Sequence, residues 1–267
     1  MRTILFDFII IICLLFINGC NSNNNKNIAE QNTNSIFQYS TLSALLEGVY
    51  DGEMTIGELK KHGNFGIGTF NALDGEMVLY EGQCYKVTSD SKVLKVSDSE
   101  KTPFAAICSF VPDTIFQINR VLNFKELKLF IDSVVPSNNL LYAYKISGNF
   151  DTIAIRSVPK QEKPYKRLIE AYKAQGIYTF TNQQGILFGY RFPKYLKDVN
   201  MDDFHLHYLS TDKTKGGHLM NCRLLKGSVS VAFIRDFNLR LPDNKYFNST
   251  TLTNNKSELL EIEGGHH

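Results

Sequence analysis

The stretch Phe204-His-Leu-His-Tyr-Leu-Ser-Thr-Asp-Lys-Thr-Lys-Gly-Gly-His218 is the most informative in this chain. Side chains alternate along a strand, so a strand through Phe204–Tyr208 projects His205 and His207 from one face. The Thr/Asp/Lys/Gly loop that follows can return the chain beside that strand as a hairpin, with His218 on the returning arm. Three neutral imidazoles on one divalent ion leave a position for water or substrate, the open arrangement of a catalytic zinc site. These are three of only six histidines in the chain.

Working outward, the rest of the chain is strand-rich with a few helices. Thr41 caps a helix to Glu47, and Ile56–His62 is a second short helix ended by Gly63. Gly66–Asn71 and Met77–Tyr80 are strands around the turn Leu73-Asp-Gly-Glu76. Gly66 and Gly68 lack the third glycine of a dinucleotide fingerprint. Ala105–Val111 reads as a buried strand. Asn123, with Glu126 three positions on, starts an amphipathic helix over Phe124–Ser133. Leu140–Ile146 and Thr152–Val158 read as a strand pair, and Pro164–Gln175 as a helix ended by Gly176. Ile186–Phe192, His205–Leu209, His218–Leu225 and Ser228–Phe233 complete the strands. The expectation is an α+β fold of mixed and antiparallel sheets with a few flanking helices, and the zinc site in the C-terminal half. Each half holds a glycine-bearing strand region, a helix and further strands, which suggests an internal duplication with a boundary near residue 150.

The 267 residues carry a formal charge of +2 with 43% hydrophobic content. No basic stripe is interleaved with aromatics, so a nucleic-acid partner is not expected. Arg2 precedes an apolar run, Ile4–Ile17, that is short for a spanning helix, and Asn18-Gly-Cys20 follows. Residues 1–19 read as a lipoprotein-type signal peptide, with Cys20 the lipidated residue, although Asp7 and Asn18 fit that pattern imperfectly. Residues 20–35 form a polar, Asn-rich tether with little to bury, and 36–267 the catalytic domain. The expected address is an exported, membrane-anchored bacterial lipoprotein, touching the membrane only through Cys20. Cys84, Cys108 and Cys222 have no metal-binding spacing and read as buried residues, with at most one disulfide possible.

Nine blocks in one order resemble the α-acetolactate decarboxylase family. They are Gly48-Val-Tyr-Asp-Gly-Glu53, Phe65-Gly-Ile-Gly-Thr-Phe-Asn71, Leu73-Asp-Gly-Glu-Met77, Thr102-Pro-Phe-Ala105, Arg156-Ser-Val158, Pro164-Tyr165, His205-Leu-His207, Gly216-Gly-His218 and Leu239-Arg-Leu-Pro242. The resemblance implies decarboxylation of 2-acetolactate to (R)-acetoin and CO2 in a homodimer. It implies Zn2+ on His205, His207 and His218, with Thr69, Glu76 and Arg156 in the pocket. A second pocket glutamate is carried over to Glu263, with Glu261 as rival. The segment Asn200-Met-Asp-Asp203 lacks a glycine expected there, and Lys145 stands where arginine is common. Two other readings stay open. One is a non-catalytic metal- or ligand-binding lipoprotein on the same fold, which could dispense with Arg156 and Glu76. The other is a cupin-like metalloenzyme, for which a glutamate is expected soon after the histidine pair, where Tyr208–Gly217 has none.

Overall fold

Two β-sheets form the body of the protein in a computed structural model that describes residues 35–252. The expected signal peptide, the tether up to residue 34 and the tail with Glu261 and Glu263 lie outside the described residues. In the first sheet the strand order is Asp236–Arg240, Ser35–Tyr39, Ala105–Cys108, Phe65–Thr69, Glu76–Tyr80, Gln83–Val87, Val93–Lys95. Only its first pair is parallel. The second sheet is antiparallel and is built on three long strands, Leu141–Ser157, Gly176–Arg191 and Gly216–Ile234, with Phe204–Ser210 beside them. Thr114–Ile118 and Leu122–Asn123 add to the far edge of the last long strand. Among the described residues few helices accompany the sheets, and the longest, Phe124–Val134, has eleven residues.

Apolar residues from both sheets meet in a shared core. Ile36, Phe65, Ile67 and Val78 from the first face Ala143, Phe188, Tyr190 and Leu209 from the second. The helix Phe124–Val134 covers the opposite face of the second sheet through Leu127 and Ile131. It starts with the expected capping box, in which Asn123 accepts from Glu126 N–H and the Glu126 carboxylate accepts from Asn123 N–H.

Three expectations about the elements are corrected. Leu140–Ile146 and Thr152–Val158 are parts of one strand, as are His218–Leu225 and Ser228–Phe233. Gly148 and Gly227 lie in the gaps between the expected strands; they stand opposite each other, and Gly148 also stands opposite Gly185. A Cβ on Gly227 would lie 2.3 Å from the Ser147 carbonyl oxygen, so these glycines let three strands run close together rather than ending them. The helix expected over Pro164–Gln175 shrinks to Leu168–Ala171 and a 3-10 turn. Tyr165 donates to Asp51 at 2.9 Å and Arg167 grips both oxygens of Glu47, which holds the preceding residues extended. Residue 150 falls inside a strand, and the chain passes to the second sheet between Cys108 and Thr114.

Candidate active site and metal centre

The histidines lie where the second sheet closes on itself. Phe204–Ser210 pairs with Gly176–Arg191 on one side and with the start of Gly216–Ile234 on the other, and the latter also pairs with Leu141–Ser157. His218 is therefore bonded across to His207 on one flank and to Arg156 on the other. Cross-strand partners share a face, so Arg156, His218 and His207 point the same way, with His205 two residues along. Phe204, Leu206 and Tyr208 enter the core on the opposite face.

A β-bulge sets the orientation of His218. Cys222 and Leu219 both enter the core beneath the helix, although they are three residues apart and simple alternation would put them on opposite faces. Opposite the step Ala154 to Ile155 the partner strand advances from Asn221 to Leu219, leaving Met220 as the extra residue. Without this irregularity His218 would share a face with Cys222, away from the other histidines.

The three imidazoles are buried, with ring centroids 5.1–5.5 Å apart and candidate ligand atoms within 4.8 Å of one another. Their hydrogen bonds fix where lone pairs remain. His207 Nδ1 is 2.9 Å from the Met77 carbonyl and must donate to it, which leaves Nε2 unprotonated, buried and without a hydrogen-bond partner. His205 Nδ1 lies 3.3 Å from Asn200 Oδ1. The Arg156 guanidinium can only donate, so without a metal it holds the His218 Nε2 lone pair at 3.2 Å, the lone pair that a metal would take over. Burial drives His207 down to about 3, and holds His205 and His218 well below the usual imidazole range; the Arg156 charge pushes all three the same way. Neutral imidazoles with an orphaned buried lone pair suit a divalent metal of borderline softness such as zinc.

Glu76 and Thr69 belong to the first sheet and face each other across its pairing. Thr69 Oγ1 donates to the Gly75 carbonyl at 2.7 Å, bracing the turn that leads into Glu76. Glu76 Oε2 is 3.6 Å from His207 Nε2. Burial raises Glu76 to about 7, against the opposing pull of Arg156. Arg156 is 2% exposed and lies 4.5 Å over the Tyr172 ring.

These groups adjoin a partly enclosed, mostly apolar cleft. Thr69, Glu76, Tyr172, His205 and His218 line it, with an apolar wall of Leu42, Leu45, Leu73, Phe104, Leu168 and Met201. Arg156 and His207 stand immediately behind, in contact with His218 and Glu76 respectively. The structure thus gathers six of the seven expected residues, while Glu263 lies outside the described residues. Tyr172, the Met77 carbonyl and Asn200 went unanticipated. A backbone carbonyl leaves no trace in sequence, and Asn200 stood out only as part of a segment, Asn200–Asp203, that lacks an expected glycine.

A small apolar cleft with convergent imidazoles, a buried carboxyl and a guanidinium is the site of an enzyme acting on small molecules. The family model for alpha-acetolactate decarboxylase matches residues 36–254. Among curated relatives, an alpha-acetolactate decarboxylase from Methanosarcina mazei is 40% identical, covering 88% of this chain and 81% of its own length. That from Bacillus subtilis is 36% identical, covering 84% of this chain and 88% of its own. The crystal structure of the Bacillus subtilis strain 168 enzyme matches with a TM-score of 0.84, covering 86% of this chain and 99% of that one. A Staphylococcus aureus structure, described as a protein of unknown function similar to alpha-acetolactate decarboxylase, matches at 28% identity with a TM-score of 0.81, covering 86% of this chain and 98% of that one. The chain belongs to the alpha-acetolactate decarboxylase family, and it is a carboxy-lyase.

Proposed function

We propose that the protein decarboxylates 2-acetolactate to (R)-acetoin and CO2, with zinc held by His205, His207 and His218. The observation that carries this reading is the buried, unpartnered Nε2 of His207 within a cluster of three buried histidines beside the cleft. Zinc in that cluster would supply Lewis-acid stabilisation for the electron density left on the ketone oxygen as CO2 departs. Arg156 provides a permanent charge with fork geometry for the substrate carboxylate, and Tyr172 holds the guanidinium plane. The apolar wall limits water, so these charges act in a medium of low dielectric. Glu76, whose carboxyl is raised by burial in the metal-free protein, is assigned as the donor or relay of the proton that the decarboxylated carbon takes up. Thr69 braces the Glu76 turn. Glu263, or its rival Glu261, is assigned as a second carboxyl of the pocket.

Arg156 and Glu76 accompany the histidines, which favours catalysis over a binding lipoprotein; family membership replaces the cupin-like alternative. The proposal retains export through a signal peptide ending at residue 19 and a lipid on Cys20, supported by the apolar run and the Asn-rich tether. It also retains a homodimer, and an internal duplication supported by the repeated order of elements. Incubation with racemic acetolactate, with and without a chelator, tests the central reading. Chelator-sensitive (R)-acetoin formation is expected; none from a folded, zinc-loaded protein would overturn it.

A further inference from the structure

His205 differs from His207 in what holds its Nδ1. For His207 the acceptor is a backbone carbonyl; for His205 it is Asn200, a fully buried side chain five residues upstream. Asn200 is in turn held by Gln38, also fully buried, from the first sheet. We propose that Gln38 and Asn200 are positioning residues, a relay that keeps the hydrogen of His205 on Nδ1 and so presents Nε2 to the metal. The inference rests on the reading of the triad as a metal centre.

The backbone dictates every orientation in the relay. Gln38 Nε2 donates to the carbonyls of Ser40 at 2.9 Å and Val199 at 2.7 Å, both acceptors only, so the amide nitrogen is fixed there. Gln38 Oε1 must then face Asn200, and an oxygen can meet only the Asn200 NH2, which donates to it at 2.8 Å. Asn200 Oδ1 is left on the opposite side, where it accepts from Met201 N–H at 2.8 Å and faces His205 Nδ1 at 3.3 Å. An amide oxygen cannot donate, so the hydrogen belongs on Nδ1. Neutral imidazole in water favours the other tautomer, with hydrogen on Nε2, where it would block coordination by that atom. Three residues from two sheets and a loop thus select one of two nearly equal states. Partners of this kind commonly change metal affinity by roughly 10–100-fold when removed.

The test compares the whole protein with Asn200→Leu and Asn200→Asp, reading two quantities. One is zinc affinity by competition with a chelator. The other is the His205 tautomer in chelator-stripped protein, from nitrogen chemical shifts of labelled imidazole. Asn200→Leu is expected to lose roughly 10–100-fold in affinity and to shift His205 toward the Nε2–H form. Asn200→Asp keeps an acceptor and should keep the Nδ1–H form. A leucine variant with wild-type tautomer overturns the relay, whether or not affinity falls; so does a changed tautomer with unchanged affinity. If the leucine variant does not fold, Gln38→Met carries the same readings, with a mixed tautomer and weakened zinc supporting the relay and a pure Nδ1–H form refuting it. Wild-type protein that takes up no divalent metal would defeat the metal reading separately, and its His205 tautomer would still report on the relay.

Discussion

Without a metal Arg156 donates to the His218 Nε2 lone pair that zinc would take over, and coordination would free the guanidinium for the substrate carboxylate. The separation of these two roles is testable. His207→Ala should abolish zinc retention, whereas Arg156→Ala should keep zinc and lose about 10²–10³-fold in kcat, the scale for losing one charge-stabilising donor; equal zinc loss by elemental analysis would refute the division. Glu76 offers a second test in metal-free protein. Its folded value of about 7 lies above the 4.5 of an ordinary glutamate, so the folded state holds that proton more tightly. Its contribution is intact below pH 4.5, is lost as pH rises to about 7, and above that the fold carries a buried carboxylate. Glu76→Gln should therefore match wild type near pH 4.5 and exceed it by on the order of 3 kcal/mol at pH 8, read by urea unfolding. The histidines titrate in the opposite sense, losing stability as pH falls below about 6.5, and that contribution is common to both proteins. The residue types of the site were legible: His205, His207 and His218 by spacing, Glu76, Thr69 and Arg156 by resemblance. The carbonyl of Met77 was not, because every residue has one.

Element lengths were less legible than element types. Strands were expected at Leu140–Ile146 and Ser228–Phe233, but each was cut short next to the stretch that holds Gly148 or Gly227. A row of glycines across paired strands continues them when a neighbouring backbone fills the space a Cβ would take. Gly227→Ala is accordingly expected to cost about 1–3 kcal/mol, as overpacking does, with the transition midpoint in urea as the measure; an unchanged midpoint would remove the close-approach explanation. The helix expected from Pro164 failed for another reason. Propensity is a weak local preference, and the bonds from Tyr165 to Asp51 and from Arg167 to Glu47 outweigh it. That exchange places Leu168 and Tyr172 on the cleft.

At the scale of the molecule the second sheet supplies the histidines and Arg156, and the first supplies Glu76, Thr69 and the acceptor for His207. A metal bound to this assembly and not to the unfolded chain ties folding to metal. Stripping zinc should lower the thermal midpoint, by a stability change of about 4 kcal/mol for free metal a thousandfold above Kd. Identical melting with and without chelator, on a sample shown to bind zinc, would mean the site is not part of the folding unit. The sequence by itself determined the family, the strand-rich class, the capped helices and the histidines of the candidate metal centre, because each rests on residue type, local alternation or short motifs. The tertiary structure alone decided that His218 faces His207, that Arg156 lies beside His218, and that Asn200, held by Gln38, reaches His205. Those outcomes depend on a bulge at Met220, on a sheet that closes upon itself and on hydrogen bonds between residues far apart in the chain. Their energies come from packing distant segments together, and no local pattern carries them.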